Sequence, residues 1–138
     1  ILPGGGVALL NASTMLIESI GDEEDEDLQK GYEIVISALE RPFYKILDNA
    51  GYSKDEIGDI ELKIKESGDL WFGYNPRKEQ FINMFSQGII DPTKVTRLAL
   101  ENAASVAGTL LITEAVVSKG KNKNSNPAAG MDMSQLMG

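Results

Sequence analysis

Residues 88–95 read Gly-Ile-Ile-Asp-Pro-Thr-Lys-Val, and a run rich in small residues follows from 98 to 112. Asp91 directly precedes Pro92, an order typical of a helix start. A carboxylate at the N-cap accepts hydrogen bonds from backbone N–H groups of the first helical turn. Proline fits the first helical position because the N–H group that it lacks has no partner within the helix there. Apolar residues then recur on one helical face, at Val95, Leu98, Ala99, Ala103, Val106 and Leu110. Because small residues lie between them, we expect a central helix wrapped by the rest of the chain.

Two roles are open for Asp91 at this point. Its carboxylate can cap the helix, which is the commonest role of an aspartate before proline. A second carboxylate oxygen can also accept hydrogen bonds from the hydroxyl groups of a ligand. The two roles are compatible, and other segments must decide between them.

Composition narrows the possible functions. The 138 residues fit one domain, and 42% hydrophobic content is enough for a core. A formal net charge of −8 argues against a nucleic-acid partner. The chain has no cysteine and no histidine, so any catalysis would rest on carboxylates, lysines or hydroxyls. The longest uncharged apolar run, residues 102–113, is too short to span a bilayer, and we expect no membrane partner.

The chain begins with a glycine-rich turn. Three glycines at positions 4–6 lead directly into an apolar helical pattern that Gly21 ends. Helix amides that point back at glycines favour an anion or polar ligand, but the spacing matches no phosphate-binding motif. We interpret the glycines as a tight turn into the helix. The start has neither an initiator Met nor a basic leader, so we expect a segment of a longer protein rather than a signal peptide.

The next segments predict helices with clear boundaries. The acidic run 22–27 lacks calcium-loop spacing, so we expect a solvated loop and no metal site. An apolar stripe from Tyr32 to Ala50 predicts two helices or one kinked helix, broken near Arg41 by Pro42. Ser53 and Glu56 have capping-box spacing at the start of another amphipathic helix.

Short strands complete the expected fold. The aromatic segment 70–74 predicts a strand, Asn75-Pro76 a turn, 89–90 a second short strand, and 114–117 an edge strand. The expected fold class is therefore mainly α, a multi-helix domain over residues 1–118 with a few short β-strands. Residues 119–138 have little bulk to order them and predict a disordered tail.

The order of the motifs resembles one known family. Five motifs follow one another along the chain as they do in group I (GroEL-type) chaperonins. They are the glycine turn 3–10, Gly73-Tyr74-Asn75, the run 88–97, the small-residue segment 103–108 and a Met- and Gly-containing tail. The resemblance covers essentially the whole chain. It corresponds to the C-terminal half of the equatorial domain, which binds ATP and forms the ring.

The resemblance implies one side of a nucleotide pocket. The residues implied at the ribose and adenine side are Gly4, Gly5, Gly6, Asn75, Pro76, Arg77, Ile89 and Asp91. The glycines would line the ribose side, Asn75 and the residues after it would approach the adenine, Ile89 would pack on the base, and Asp91 would hold the ribose hydroxyls. The implied cofactor is ATP or ADP. Mg and K ions are expected in the full protein, with ligands outside this segment.

The resemblance also implies partners and a compartment. It implies a homo-oligomeric ring of seven subunits, single or double, that assists protein folding in the cytoplasm or an organellar matrix. Unfolded clients and a co-chaperonin lid would bind through domains outside this segment. The family's phosphate loop and water-activating aspartate also fall outside it, so no catalytic residue is implied here. The alternative is a stand-alone helical interaction module, derived from a chaperonin and without ATPase activity.

Two departures from the family pattern bear on the site and on ring contacts. Pro76 and Arg77 stand where bacterial relatives carry small alanines. Tyr44 and Ser53 stand where those relatives carry an inter-ring Arg–Glu pair. Two positions are open for Arg77, stacked on the adenine or extended into solvent, and we expect a weaker or differently built contact between rings.

Overall fold

The computed structural model describes residues 1–21 and 25–113 and divides the chain into two units, Ile1–Glu101 and Asn102–Gly138. The described residues form four helices and two small sheets. The helices are α1 (Val7–Ile20), α2 (Glu26–Asn49), α3 (Lys54–Ser67) and α4 (Thr93–Leu111). The strands are β1 (Leu2–Pro3), β2 (Phe72–Asn75), β3 (Gln80–Asn83) and β4 (Ile90–Asp91). The mainly α fold class is confirmed.

Both sheets are antiparallel pairs. Strand β1 pairs with β4, with Leu2 opposite Asp91 and Pro3 opposite Ile90. Strands β2 and β3 form a hairpin in which Asn75 lies opposite Gln80. The aromatic strand lies slightly later than predicted, and β1 and β3 were not predicted as strands. The β1–β4 pair brings the beginning of the chain beside the residues that precede α4.

The glycine turn has the predicted form, and Gly6 shows why glycine is needed there. Gly6 has φ 80°, a left-handed conformation that side-chain-bearing residues rarely adopt. A Cβ on Gly6 would lie 2.6 Å from the backbone nitrogen of Phe43. The start of α1 therefore packs directly on the backbone of α2. Gly21 ends α1 as predicted.

Helix α2 is one continuous helix, so the prediction of two separate helices is wrong, whereas a kink near Arg41 stays a prediction. Pro42 lies inside it, and the residues at Leu39, Phe43 and Leu47 are buried on both sides of the proline. Each such side chain stabilises the fold by roughly 1.5–3 kcal/mol, which together exceeds the cost of about 3 kcal/mol for an internal proline. The side chain of Asp25 caps the helix by accepting from the backbone N–H groups of Asp27 and Leu28.

Helix α3 and the core agree with the sequence pattern. The Ser53–Glu56 capping box is present, and the helix ends at Gly68 in a left-handed conformation. The buried apolar core combines α1, α2 and α3 with one residue from the turn after β3. Its members are Val7, Leu10, Leu39, Phe43, Leu47, Ile57, Ile60, Ile64 and Met84.

Helix α4 differs from its prediction. Within unit 1, no residue of α4 from 93 to 101 is buried, so the expectation of a wrapped central helix is wrong for this part of α4. Val95 is 61% exposed and Leu100 42% exposed. Small residues permit close packing of a neighbouring segment on the helix. The periodicity of the apolar residues does not show whether that segment belongs to the same chain. Among the described helices, none is long and apolar enough to cross a membrane.

Three predictions fall wholly or partly on residues that are not described. The edge strand predicted at 114–117 and the tail predicted at 119–138 lie outside residues 1–21 and 25–113. The acidic residues 22–24 also lie outside them. These expectations stay predictions.

Candidate functional site

A cleft of about 500 Å³ lies beside the glycine turn and the β2–β3 hairpin. Five of the eight residues implied at the nucleotide site line it, namely Gly5, Asn75, Pro76, Arg77 and Ile89. The other lining residues are Phe43, Ile46, Leu47, Tyr74, Lys78, Met84 and Gln87. Residues from distant parts of the sequence therefore converge on one concave surface of ligand-binding size.

Burial separates the floor of the cleft from its rim. Phe43, Leu47 and Met84 are at most 2% exposed and form an apolar floor. Arg77 and Lys78 are exposed and lie at the rim. Gly5 has φ 64°, and a Cβ there would lie 3.2 Å from the terminal methyl of Met84. Glycine at this position thus keeps the cleft open next to the floor.

The wall made by residues 75–78 is held by a local network of hydrogen bonds. The side-chain oxygen of Asn75 accepts from the backbone N–H groups of Arg77 at 3.0 Å and Lys78 at 3.3 Å. The hydroxyl of Tyr52 lies 3.1 Å from that of Tyr74 and donates to the carbonyl oxygen of Pro76 at 3.4 Å. The side-chain carbonyl of Asn75 therefore shapes the turn, and its amide nitrogen has no hydrogen-bond partner among the described residues.

Asp91 is half-buried at the end of β4, two residues after Ile89. Asp91 does not line the cleft, whereas Ile89, which directly precedes β4, does. Within residues 1–21 and 25–113, no hydrogen bond or ion pair involves the Asp91 carboxylate.

The expected capping role of Asp91 is wrong. Helix α4 begins at Thr93, and the carbonyl oxygen of Pro92 accepts from the N–H groups of Val95 and Thr96. Pro92 therefore occupies the N-cap position, one residue later than predicted. The Asp91 carboxylate keeps its acceptor capacity for a ligand.

Gly4 and Gly6 do not line the cleft, although the resemblance placed both at the pocket. The backbone N–H of Gly4 donates to the carbonyl oxygen of Ile89 at 3.0 Å, and Gly4 is buried. Gly6 contacts the backbone of α2 at Phe43. Both glycines position the walls of the cleft, whereas Gly5 is part of its surface.

Sequence reasoning missed several residues of the cleft. Met84 was noticed only as part of an apolar patch, and the floor residues of α2 only as a helical stripe. Lys78 and Gln87 were not singled out, although the ammonium group of Lys78 donates to the side-chain oxygen of Gln87 at 3.1 Å across the mouth. No signal in the sequence pairs these two residues, since the β2–β3 hairpin and the turn after it bring them together.

A second polar cluster links α2 and α3 away from the cleft. The ammonium group of Lys65 lies 2.8 Å from the Glu40 carboxylate and 2.5 Å from that of Glu61, which also accepts from the hydroxyl of Tyr44. Burial, the hydrogen bond to Glu61 and the charges of Glu61 and Glu40 raise the pKa of Tyr44 to about 12. Burial alone would lower the pKa of Lys65, but its hydrogen bonds to Glu40 and Glu61 outweigh that effect and raise it.

The two residues that replace the family's inter-ring pair, Tyr44 and Ser53, are both engaged within this chain. The hydroxyl of Tyr44 is bound to Glu61, and Ser53 is the N-cap of α3. Both residues thus have partners within the chain. The expected weaker contact between rings stays a prediction. Among the described residues, no group of three or more acidic, cysteine or histidine side chains could hold a metal ion.

The fold and the cleft define a mainly helical segment with a ligand-sized site between its first turn and β4. Residues 1–121 match the model of the TCP-1/cpn60 chaperonin family. The chain therefore belongs to this family. It is also similar to a solved structure described as a group III chaperonin in the open state, with 30% sequence identity and a TM-score of 0.76. That match covers 85% of this chain and 24% of the chaperonin, so the chain spans about a quarter of its length.

Proposed function

We propose that this chain is a segment of an ATP-dependent ring chaperonin and supplies the ribose and adenine side of its nucleotide pocket. The observation that carries the proposal is the convergence of Gly5, the 75–77 turn and Ile89 on one cleft. Asp91 lies two residues after Ile89, and its carboxylate has no hydrogen-bond or ion-pair partner within residues 1–21 and 25–113. Membership of the chaperonin family supports the same function.

The residues of the cleft fit the chemistry of a nucleoside. A volume of about 500 Å³ lies within the roughly 300–1,000 Å³ of small-molecule sites. Ile89 and the buried floor give the apolar surface that a purine base needs, and Gly5 offers a wall without a side chain. A vicinal diol can donate two hydrogen bonds to one carboxylate, and charge-assisted bonds of this kind are among the strongest in proteins. We assign this acceptor role to Asp91.

The rest of the proposal follows from the resemblance. The phosphates, Mg and K would be held by parts of the subunit outside this segment, which would also supply the ATPase activity. The subunit would belong to group I and assemble as a seven-membered single or double ring. It would bind unfolded clients and a co-chaperonin lid in the cytoplasm or an organellar matrix.

The test is Asp91→Ala in the full-length subunit, with ADP affinity measured by calorimetry. Loss of charge-assisted bonds to the ribose predicts a weakening of about 1.5–3 kcal/mol, or roughly 10- to 150-fold. Asp59→Ala, which removes an exposed carboxylate of α3 outside the cleft, is the matched control and is expected to bind like the wild type. Unchanged affinity in Asp91→Ala would remove Asp91 from the site. A wild-type subunit that binds no nucleotide would instead favour the interaction module without ATPase activity.

A further inference from the structure

The geometry points to Arg77 as a base-stacking residue that determines specificity for purines. Its guanidinium would cover one face of the base, and Ile89 would contact the other. This inference rests on the proposed nucleotide site and adds to it a residue that is small in the related bacterial sequences. The inference is about contacts with the base, whereas the proposed role of Asp91 is about contacts with the ribose.

The backbone of Arg77 is held firmly at the rim of the cleft. Its N–H donates to the Asn75 side-chain oxygen at 3.0 Å, and the preceding residue is Pro76, whose ring fixes its own φ. The carbonyl oxygen of Pro76 accepts from the hydroxyl of Tyr52. The point from which the Arg77 side chain leaves the backbone is thus fixed before any ligand binds, which lowers the entropy lost on binding.

The guanidinium of Arg77, in contrast, has no partner among the described residues. Nearby cations are engaged, since Lys78 donates to Gln87 and the ammonium group of Lys63 lies 5.4 Å from the centre of the Phe81 ring. Arg77 is exposed and lines the cleft, yet no hydrogen bond or ion pair of its side chain is formed within residues 1–21 and 25–113. A cation on a fixed backbone beside an apolar floor is available to a ligand.

The chemistry of the guanidinium favours a base over a phosphate as its target. A guanidinium is planar, weakly hydrated and stacks on aromatic faces, whereas an ammonium acts as a point charge. The apolar parts of the cleft, Ile89 and the floor, would bind a flat base rather than a charged phosphate. A purine offers a larger face than a pyrimidine. The stacking contribution is therefore expected to be larger for ADP than for UDP.

The test compares Arg77→Ala and Arg77→Lys in the full-length subunit by calorimetry with ADP and with UDP. Contacts of a cation with an aromatic face predict a loss of about 3- to 30-fold in ADP affinity for Arg77→Ala, with a smaller loss for UDP. Arg77→Lys keeps the charge but is expected to recover little of the lost ADP affinity. Arg41→Ala removes an exposed arginine of α2 outside the cleft and is the matched control. Thermal unfolding shows whether each variant is folded.

Each outcome decides the matter. Losses in both Arg77 variants that are larger for ADP than for UDP and insensitive to salt support stacking. Recovery by lysine, or an equal loss for both nucleotides that disappears at high salt, would assign Arg77 to phosphate attraction and overturn the inference. Unchanged ADP affinity in Arg77→Ala would overturn it as well.

If Arg77→Ala is unfolded, Arg77→Lys alone decides, because full ADP affinity of Arg77→Lys would contradict stacking. Failure of the wild type to bind ADP would overturn the proposed function itself.

Discussion

The backbone N–H of Gly4 donates a 3.0 Å hydrogen bond to the carbonyl oxygen of Ile89. This bond extends the β1–β4 pair by one step and joins the glycine turn to the residue that lines the cleft. A Cβ on Gly4 would lie 3.2 Å from both the backbone and the side chain of Ile89. The first residues of the chain and the residues before α4 therefore form one wall, although they are more than 80 positions apart in sequence.

The close packing of the glycine turn on α2 makes Gly6→Ala strongly destabilising. A Cβ would be forced against the Phe43 backbone while the residue keeps φ 80°, so we expect a loss of about 3 kcal/mol or more in the free energy of unfolding. Gly68→Ala is the matched control, since Gly68 has φ 65° but open space around it, and is expected to cost only about 1–2 kcal/mol. Urea unfolding of the 138-residue chain, followed by the fluorescence of Trp71, measures both. Equal losses would contradict the packing argument.

Lys65 is predicted to be more important for stability than an exposed lysine in an ion pair. Lys65→Met would leave the carboxylates of Glu40 and Glu61 close together without the cation that bridges them. We expect a loss of about 1–3 kcal/mol, because Glu61 is buried. Lys45→Met breaks the exposed 2.7 Å pair with Asp48 and is expected to have a much smaller effect, because solvent screens an exposed ion pair. The same urea titration compares the two, and a Lys65→Met variant as stable as Lys45→Met would count against the cluster.

The bound hydroxyl of Tyr44 predicts a fall in stability at alkaline pH. Its pKa of about 12 in the folded chain lies above the ordinary value of 10, so the folded state retains a proton that the unfolded chain loses. This contribution to the free energy of unfolding is complete below pH 10 and is lost as the pH rises towards 12. Unfolding curves at intervals from pH 8 to 12 measure it.

The control for this pH dependence is Tyr44→Phe. It is expected to be less stable at pH 8 and to show a shallower fall between pH 10 and 12. Part of the fall remains, because a hydrogen bond with Tyr74, with a smaller effect of burial, raises the pKa of Tyr52 to about 12. Identical slopes for the wild type and Tyr44→Phe would show that Tyr44 does not contribute.

Local chemistry made the helices predictable. The capping box at Ser53, the glycine at position 21 and the inward isoleucines of α3 act over a few residues, and each was found where the sequence predicts it. A break into two helices was predicted because the local cost of Pro42 is visible in the sequence, whereas the burial of Phe43 and Leu47 that offsets it depends on packing of other helices.

The site was predictable only in part, for a related reason. The motif match found Gly5, the 75–77 turn and Ile89, which together line the cleft. It could not separate the glycine that forms the surface from those that support it, because that distinction depends on the contact of Gly6 with α2. The apolar floor and the Lys78–Gln87 hydrogen bond arise from long-range packing and a hairpin. The exposure of α4 could not be predicted either, because an apolar stripe does not show which surface packs against it.

The most direct test of the nucleotide site is a double-mutant cycle between Asp91 and the ribose hydroxyls in the full-length subunit. Calorimetry would give the affinities of wild type and Asp91→Ala for ADP and for 2′,3′-dideoxy-ADP. We predict that removing the hydroxyls weakens binding to the wild type about as much as Asp91→Ala does, and that it has little further effect in Asp91→Ala. Losses that simply add would show that Asp91 and the ribose do not interact, and would contradict the proposed site.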